Sequence, residues 1–491
     1  MDVAYFLIHE GIIVLAKIHK TVYPFELNFM EKGNGKKLSS RDEKYLHMSL
    51  NDNMWKVILY IGMPLAMYQM LSQIFAILDT MMAAHISKES VSAVAYLSQL
   101  SHILSAVGGG LAVGAGIKIS HAFGQGNLDL VKKRISSLYI LCFSVGVLML
   151  VGILPFTGRF LKLAGTPDSL IAVGTSYFIV QLLTMVVQFL NNVYIAVERA
   201  RGNAKLIFKL NLMVILTKLS LTAVFVYLLN SGLVMIAVAS LISQVLLFIV
   251  AWKNSLIKDS VFAFSLNSVS REREVIGPMI ENSIPVIAEK ALFAFGKTIV
   301  NAMCTVYGDL MVGAMGVSNN LGGFTTMPQN GFQDGCASIV SQNFGAKKYK
   351  RVLDAFFVTA AINVIIGIAI SGFEMWQMDL MASLFDSGSL EFREMIKLVY
   401  RYEIYGAVPL GVNAAVMALL YGLGKTKLTL LINISRVFVF RIPVFWFLQN
   451  FTNFGDKSVG IVMMVSNISV TVMSVLVSLI VIHNFKKEYM V

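Results

Sequence analysis

Long apolar stretches without a charged residue recur along the whole chain, separated by short polar breaks. The stretch 57–78 is one of them, and like the others it exceeds the roughly 18 residues that indicate a transmembrane helix. The pattern predicts twelve such helices. They cover approximately residues 55–83, 89–121, 131–155, 169–197, 206–229, 232–252, 274–306, 309–343, 352–376, 395–422, 427–448 and 458–483.

The composition agrees with a fold inside a membrane. Of the 491 residues, 56% are apolar and only 14% are Asp, Glu, Lys or Arg, whereas soluble domains have about 25% charged residues. The mean hydropathy is +0.71. We therefore predict an all-α integral membrane protein. The three cysteines all lie inside apolar stretches, which argues against a disulfide framework or a zinc site.

Basic residues are divided unequally between the two sides of the predicted membrane. The segments on the side of both termini hold 27 of the 40 Lys and Arg residues, and the opposite segments hold 6. Because cytoplasmic loops are enriched in Lys and Arg, both termini are predicted to be cytoplasmic. The net charge of +12 then needs no nucleic-acid partner. We expect a multi-pass protein of the plasma membrane, which is the inner membrane in a bacterium.

The two halves of the chain share landmarks at a nearly constant spacing, which indicates an internal duplication. Gly124 and Gly345 are as far apart in the sequence as Pro64 and Pro285. Gly202 and Gly424 are one residue further apart. Six helices return the chain to the same side, so the halves are predicted to be parallel repeats about an axis along the membrane normal. Such repeats build transporters whose site lies between the two lobes near the membrane midplane.

The predicted organisation places two six-helix bundles between cytoplasmic segments. The natural start is either residue 1 or one of two later methionines, Met30 and Met48. The predicted segments are an N-terminal cytoplasmic segment 1–53, an N-terminal lobe 54–254, a cytoplasmic linker 255–273, a C-terminal lobe 274–485 and a tail 486–491.

Polar side chains line one face of two predicted helices in the N-terminal lobe. In the first span, Gln69, Ser72 and Asp79 lie at spacings of three and seven, hence on one helical face. In the fourth span, Gln188 and Asn191 share a polar face. Since ionisable groups at membrane depth cost about 2.5–3.5 kcal/mol on insertion scales, we predict an aqueous cleft with Asp79 as its coupling carboxylate. A structural ion pair without a role in transport is the alternative.

Lys218 interrupts the fifth span in the same lobe and at a similar predicted depth. A lysine without a partner in a closed site would be costly. We therefore predict that Asp79 and Lys218 pair when substrate and ion are absent. The alternative is that Lys218 extends along the outside of the lobe to the lipid headgroups.

The C-terminal lobe offers four further candidate residues, namely Glu289, Lys297, Asp334 and Asn413. Lys297 and Asp334 both fall inside adjacent antiparallel spans at middle depths, so we predict a buried ion pair that fixes the packing of this lobe. Such a pair could also line the cleft. Removing one partner of a buried pair is typically more costly than replacing both with apolar residues.

Motifs for enzymatic catalysis are missing from the sequence. There is no Walker A loop for ATP hydrolysis and no His-Glu-x-x-His zinc motif. Neither is there a paired acidic motif for a lipid-phosphate transferase. We predict that the chain is not an enzyme and has no cofactor or resident metal ion. Transport has to be driven by an ion gradient or to run downhill.

Several of these segments together resemble the multidrug and toxic compound extrusion (MATE) family. The similarity covers about residues 50 to 485. The segments are Ile61-Gly-Met-Pro64 and Leu78-Asp-Thr80 in the first span, His121-Ala-Phe-Gly-Gln-Gly126 after the second, and Pro328-Gln-Asn-Gly-Phe-Gln-Asp-Gly335 and Ser341-Gln-Asn-Phe-Gly345 around the eighth.

The resemblance implies an antiporter that exports small organic cations or amphipathic drugs in exchange for H⁺ or Na⁺, by rocking of the two lobes. It also implies that Asp79, with Asn191 or Asn192, belongs to the coupling site, and that the ion taken up at Asp79 is either H⁺ or a transiently bound Na⁺. Related N-terminal sites often have an aspartate one turn beyond an asparagine in the fifth span. Here Ile215 follows Asn211 at that spacing.

Two other functions are weighed against the exporter. A lipid-linked oligosaccharide flippase of the same superfamily would favour fourteen spans and an arginine-lined cavity for pyrophosphate headgroups. A membrane enzyme or sensor would need catalytic motifs or a soluble effector domain. We favour the exporter, with small organic molecules and membrane lipid as its partners, no nucleic acid, and a monomer as the functional unit.

Overall fold

The computed structural model describes residues 38–86, 88–164, 166, 168–257, 260–385 and 389–490. In these residues the regular structure is helical. We number the α-helices α1 to α16. They are Ser40–Asn51, Met54–Ile86, Lys88–Gly124, Leu128–Ile153, Thr157–Leu163, Asp168–Arg201, Ala204–Ala223, Leu233–Ser255, Arg273–Cys304, Asp309–Gly345, Tyr349–Trp376, Met378–Ser383, Leu390–Gly422, Thr426–Ile434, Ile442–Phe451 and Lys457–Tyr489.

Within the described residues, ten helical segments are long and apolar enough to cross a membrane. Helices α9 and α10 are not among them, although they contain 32 and 37 residues. Their sequences carry charged and amide side chains, including Glu289 and Lys297 in α9 and Asp334 in α10. These polar side chains line a cavity rather than face lipid, which explains the lower hydropathy of the two helices.

Turns at matching positions follow the duplication that the sequence predicts. After α3, the N–H groups of Gly126 and Asn127 donate to the carbonyls of Phe123 and Ala122. After α10, the same pattern recurs at the corresponding positions of the second repeat, with the N–H groups of Lys347 and Lys348 as donors. Gly126 and Lys347 both have positive φ, 74° and 58°. Both are helix-ending turns of the Schellman type, so the repeat is visible in the backbone.

One helix in each half contains a wide π-helical turn. Val224–Leu228 continues α7, and Ser435–Val439 continues α14. Such turns are rare in proteins, and those that occur often lie at functional sites. The second turn includes Arg436, so it directs a charged side chain into the interior of the C-terminal half. We call α2 to α8 the N-terminal half and α9 to α16 the C-terminal half.

The two halves pack tightly at the end of the molecule where α3 and α10 end. A Cβ at Gly124 would overlap the carbonyl of Gln342, and one at Gly345 would overlap the carbonyl of His121. Only glycine lets the backbones approach this closely. Ser341 Oγ also donates to the carbonyl of Ile117 at 2.8 Å. This end of the molecule is therefore closed.

Helix α1 bridges the two halves at the same closed end. Near its start, Asp42 forms an ion pair with the buried Arg201 of α6. Near its end, the carbonyl of Ser49 accepts a hydrogen bond from Arg351 of α11 at 3.0 Å, and the carbonyl of Leu50 accepts one from Lys348 at 3.0 Å. Cations at a helix C-terminus are favourable. Helix α1 is thus attached to both halves.

Candidate functional site

A cavity of about 210 Å³ lies between α2, α7 and α8 in the N-terminal half. Its lining includes Ser72 from α2, Lys218 and Asn211 from α7, and Gln244 from α8. The remaining lining is mainly apolar, so these polar side chains stand out as possible contacts for an ion or a substrate. The structure therefore brings Ser72 and Lys218 to one cavity.

Asn191 of α6 reaches this cavity through Gln244. The amide nitrogen of Asn191 donates to the side-chain oxygen of Gln244 at 2.9 Å and to its carbonyl at 3.0 Å. Asn191 is buried. Gln188 and Asn192 are not among the residues that line the described cavities. Of the two asparagines that the resemblance offers, Asn191 is therefore the one connected to this cavity.

The side chain of Asp79 lies outside the described residues. The predicted pair of Asp79 with Lys218 accordingly stays a prediction. Gln69, which shares a predicted face with Ser72, lines the larger cavity in the other half of the molecule. Helix α2 therefore contributes polar side chains to both cavities, because it packs between the halves.

A larger cavity of about 410 Å³ lies mainly in the C-terminal half. Its lining comes from α9, α10, α13, α14, α16 and the π-helical turn after α14, together with Gln69 of α2. Glu289, Lys297, Asp334 and Asn413 all line it. The four C-terminal candidates from the sequence are therefore brought to one cavity.

Glu289 is held by three hydrogen bonds at one end of this cavity. Its carboxylate accepts from the Tyr421 hydroxyl at 2.5 Å, the Thr429 hydroxyl at 2.7 Å and the Asn433 amide at 2.6 Å. Three donors satisfy a buried carboxylate without an ion pair. The Asn413 Oδ1 atom is buried and has no hydrogen-bond partner within the part of the chain that is described.

Three basic side chains lie together in the same cavity. Arg436 and Arg441 both donate to the side-chain oxygen of Asn467, at 2.8 and 3.1 Å. Lys297 and Arg436 both lie over the ring of Phe293, at 5.5 and 5.4 Å from its centre. We call Lys297, Arg436 and Arg441 the basic cluster.

Glu403 is an acidic residue that lines the same cavity as the basic cluster. Its carboxylate accepts a hydrogen bond from Ser318 at 2.5 Å. Among the described residues, no carboxylate oxygen forms an ion pair with a nitrogen of the basic cluster. The cavity therefore contains a positively charged region.

The predicted ion pair of Lys297 with Asp334 is wrong. Asp334 pairs instead with Arg199 of α6 at 3.1 Å, across the two halves. Helix α9 begins near the closed end and α10 ends there. From the helical rise, Lys297 lies about 36 Å along α9 from that end, whereas Asp334 lies about 16 Å along α10 from it. The two side chains therefore lie at different depths and do not meet.

The sequence indicated most of the charged residues of the site but not which side chains they contact. Arg436, Arg441 and Glu403 were visible as charges inside the predicted spans ten and eleven, but their convergence on one cavity depends on tertiary packing. The Arg199–Asp334 pair had a weaker signal, because Arg199 lies next to a basic loop and resembles an ordinary cytoplasmic charge. Within the described part of the chain, no group of three His, Cys, Asp or Glu residues is arranged to hold a metal ion.

Comparison with a statistical model of the family described as MatE gives two matched stretches, residues 64–228 and 285–447. They begin at Pro64 and Pro285, the two prolines that the duplication relates, one in each half.

Curated relatives from two bacteria are also similar to this chain. A probable multidrug resistance protein of Bacillus subtilis, YoeA, is 22% identical over 418 residues, which are 82% of this chain and 88% of the relative. The multidrug export protein MepA of Staphylococcus aureus is 23% identical over 327 residues, 65% of this chain and 70% of the relative.

Solved structures with the same fold include two MATE proteins. A crystal structure of MATE in complex with MaL6 superposes with a TM-score of 0.86 at 19% identity, covering 90% of this chain and 99% of that one. An outward-facing conformation of a multidrug resistance MATE family transporter of the MOP superfamily also gives 0.86 at 19% identity, covering 92% and 100%.

Proposed function

Because this chain belongs to the MatE family, we propose that it exports small organic compounds across the plasma membrane by alternating access, in exchange for H⁺ or Na⁺. The observation that carries the proposal is the pair of cavities, one in each half, on either side of an interface that is closed at one end. The curated relatives named above are multidrug resistance or export proteins, which favours export over the flippase alternative.

The proposed topology has twelve membrane spans in two six-helix lobes, with residues 54–254 and 274–485 as the lobes and both termini in the cytoplasm. The closed end carries the basic loops, so it is the proposed cytoplasmic end. With that end closed, the cavities would be reached from the outside. The protein acts as a monomer in this proposal.

Transport by the purified protein in liposomes tests the proposal. We expect accumulation of an amphipathic dye, either ethidium or carboxyfluorescein, only when a pH or Na⁺ gradient is imposed. The fluorescence of the dye retained in the liposomes is measured after filtration. Liposomes without protein are the control. Dye movement that does not depend on either gradient would contradict antiport, and no movement of either dye would contradict export.

We propose that the N-terminal cavity is the coupling site. Lys218, Asn211 and Gln244 line it, and Ser72 and Ala76 line it from α2. Residue 79 follows these two at spacings of seven and three, so helical periodicity predicts that it shares their face. A carboxylate at that face could take up a proton or Na⁺ when Lys218 moves away from it.

The Arg199–Asp334 pair is proposed to hold the cytoplasmic end closed. Asp334→Asn is expected to shift the equilibrium toward separation of the halves by roughly 5- to 30-fold, because about 1–2 kcal/mol of charge-assisted hydrogen bonding is lost. The reporter is the double variant Ser120→Cys and Ser338→Cys, since the two hydroxyl oxygens lie 3.2 Å apart across the interface. The three native cysteines are buried, so oxidation is expected to link the two introduced cysteines and not the native ones.

The rate of cross-linking under mild oxidation is measured by mass spectrometry of the linked peptide. We expect the rate to fall in the Asp334→Asn background. The matched control is Glu272→Gln, which removes the carboxylate of an exposed pair with Lys133 and should leave the rate unchanged. An unchanged rate in Asp334→Asn would show that this pair does not hold the halves together.

A further inference from the structure

The basic cluster in the C-terminal cavity carries more positive charge than the nearby protein carboxylate, Glu403, can offset. Two guanidinium groups, those of Arg436 and Arg441, share one neutral acceptor, the side-chain oxygen of Asn467. A single amide oxygen accepts hydrogen bonds from both but neutralises neither. Like charges held this close repel each other in a medium of low dielectric constant, so an anion in addition to Glu403 would stabilise the arrangement.

Lys297 completes the cluster from a different helix, α9. It approaches Arg436 across the ring of Phe293. The faces of aromatic rings attract cations, so the ring holds both charges without neutralising them. Lys297 is exposed to the cavity, whereas Arg441 is only 2% exposed. The cluster thus joins a rigid buried guanidinium to a movable ammonium group.

Carboxylates elsewhere in the cavity are occupied by other partners. Glu403 accepts from Ser318, Glu289 accepts from Tyr421, Thr429 and Asn433, and Asp334 pairs with Arg199. Glu403 offsets one of the three positive charges at longer range. Lys290, which also lines the cavity, balances the charge of Glu289. An excess of two positive charges therefore remains in a cavity of about 410 Å³, which is large enough for a drug-sized molecule.

We propose that this cavity binds the anionic group of the exported compound, a carboxylate, sulfonate or phosphate, between Lys297, Arg436 and Arg441. Guanidinium groups bind such oxyanions through paired hydrogen bonds, and the apolar walls from Phe293, Met417 and Met463 would hold the rest of an amphipathic molecule. The inference rests on the proposed export function. It departs from the purely cationic substrates that the resemblance implies.

Binding of two dyes with one scaffold and opposite charge tests the inference. Carboxyfluorescein and rhodamine 123 both contain a xanthene ring system, but the first is an anion and the second a cation. Fluorescence anisotropy is titrated with the full-length protein in an uncharged detergent. We expect carboxyfluorescein to bind more tightly than rhodamine 123, and its affinity to fall when salt screens the charges.

Two variants identify the site. Lys297→Met removes a charge but leaves the hydrogen bonds to Asn467 in place, and Arg436→Gln keeps a donor for Asn467. Each is expected to weaken carboxyfluorescein binding by about tenfold or more, the loss of one charge-assisted hydrogen bond, with little effect on rhodamine 123. Lys427→Met is the matched control, because Lys427 is an exposed lysine outside the cavity.

The outcomes separate this inference from the proposed function. Equal binding of the two dyes, or equal loss in Lys297→Met and Lys427→Met, would overturn the anionic site even if gradient-driven export is observed. Anion binding that depends on the cluster would support the site even if export fails. Loss of co-purified phosphatidylglycerol in Lys297→Met, with dye binding unchanged, would assign the cluster to a lipid headgroup and overturn its role in substrate binding.

Discussion

Asp79→Asn is expected to abolish gradient-driven export and to leave folding and dye binding intact. Asp79 is the only carboxylate in the sequence of α2, and the spacing from Ser72 and Ala76 predicts that it faces the N-terminal cavity. Asparagine has nearly the same size but cannot exchange a proton or hold Na⁺ as a counter-charge. Dye accumulation under an imposed gradient should fall to the level of liposomes without protein.

An aspartate at an exposed position provides the control for this substitution. Asp129→Asn makes the same chemical change near the start of α4, where the side chain is exposed, and should retain full transport. Dye binding by anisotropy separates loss of coupling from loss of the substrate site. Full accumulation in Asp79→Asn under both gradients would remove this residue from the coupling mechanism.

Arg201→Met is expected to destabilise the protein by about 3–5 kcal/mol, because it leaves two buried carboxylates without a counter-charge. Arg201 is 1% exposed. It pairs with Asp42 of α1 and with Glu198 one turn earlier in α6, the latter at 3.1 Å. Its guanidinium also lies over the ring of Phe262 at 5.1 Å. Thermal unfolding in detergent, followed by size-exclusion chromatography, measures the loss.

The same substitution at an exposed ion pair shows what burial contributes. Lys56→Met breaks a pair with Asp52 at 2.8 Å in which the lysine side chain is 68% exposed, and exposed pairs contribute little to stability because water screens them. The hydrogen bond from Lys56 also holds the pKa of Asp52 below its usual value. Comparable destabilisation by Lys56→Met and Arg201→Met would show that the buried cluster is not a major source of stability.

Periodicity was sufficient to predict an all-helical membrane fold, and ten helical segments of the described residues are long and apolar enough to cross a membrane. The count of twelve spans stays a prediction. The nearly constant spacing between glycines indicated an internal duplication, and the backbone repeats a helix-ending turn with positive φ at one position in each half. Lys347 stands where the first half has Gly126, so the conformation is kept even where the residue differs. The pattern of apolar positions therefore predicts the helical architecture.

Pairing between side chains was less predictable from the sequence. Lys297 and Asp334 belong to successive helices, yet a difference in depth separates them, and Asp334 pairs with Arg199, which is distant in sequence and belongs to the other half. The depth of a side chain in the membrane depends on where its helix begins. Charged residues near the helix ends make that starting point difficult to predict from the sequence. The role of residues 40–51 was also missed, since a polar segment before the first span resembles an unstructured cytoplasmic tail.

The two attachments of α1 differ in kind, and from this difference we expect one to break before the other in the proposed transport cycle. The attachment to the N-terminal half is a buried ion cluster at Arg201. The attachment to the C-terminal half consists of hydrogen bonds from Asn343, Lys348 and Arg351 to uncharged acceptors at the helix end. In the proposed cycle, we therefore expect α1 to stay with the N-terminal half when the halves separate, and to form its hydrogen bonds with Lys348 and Arg351 again when they close.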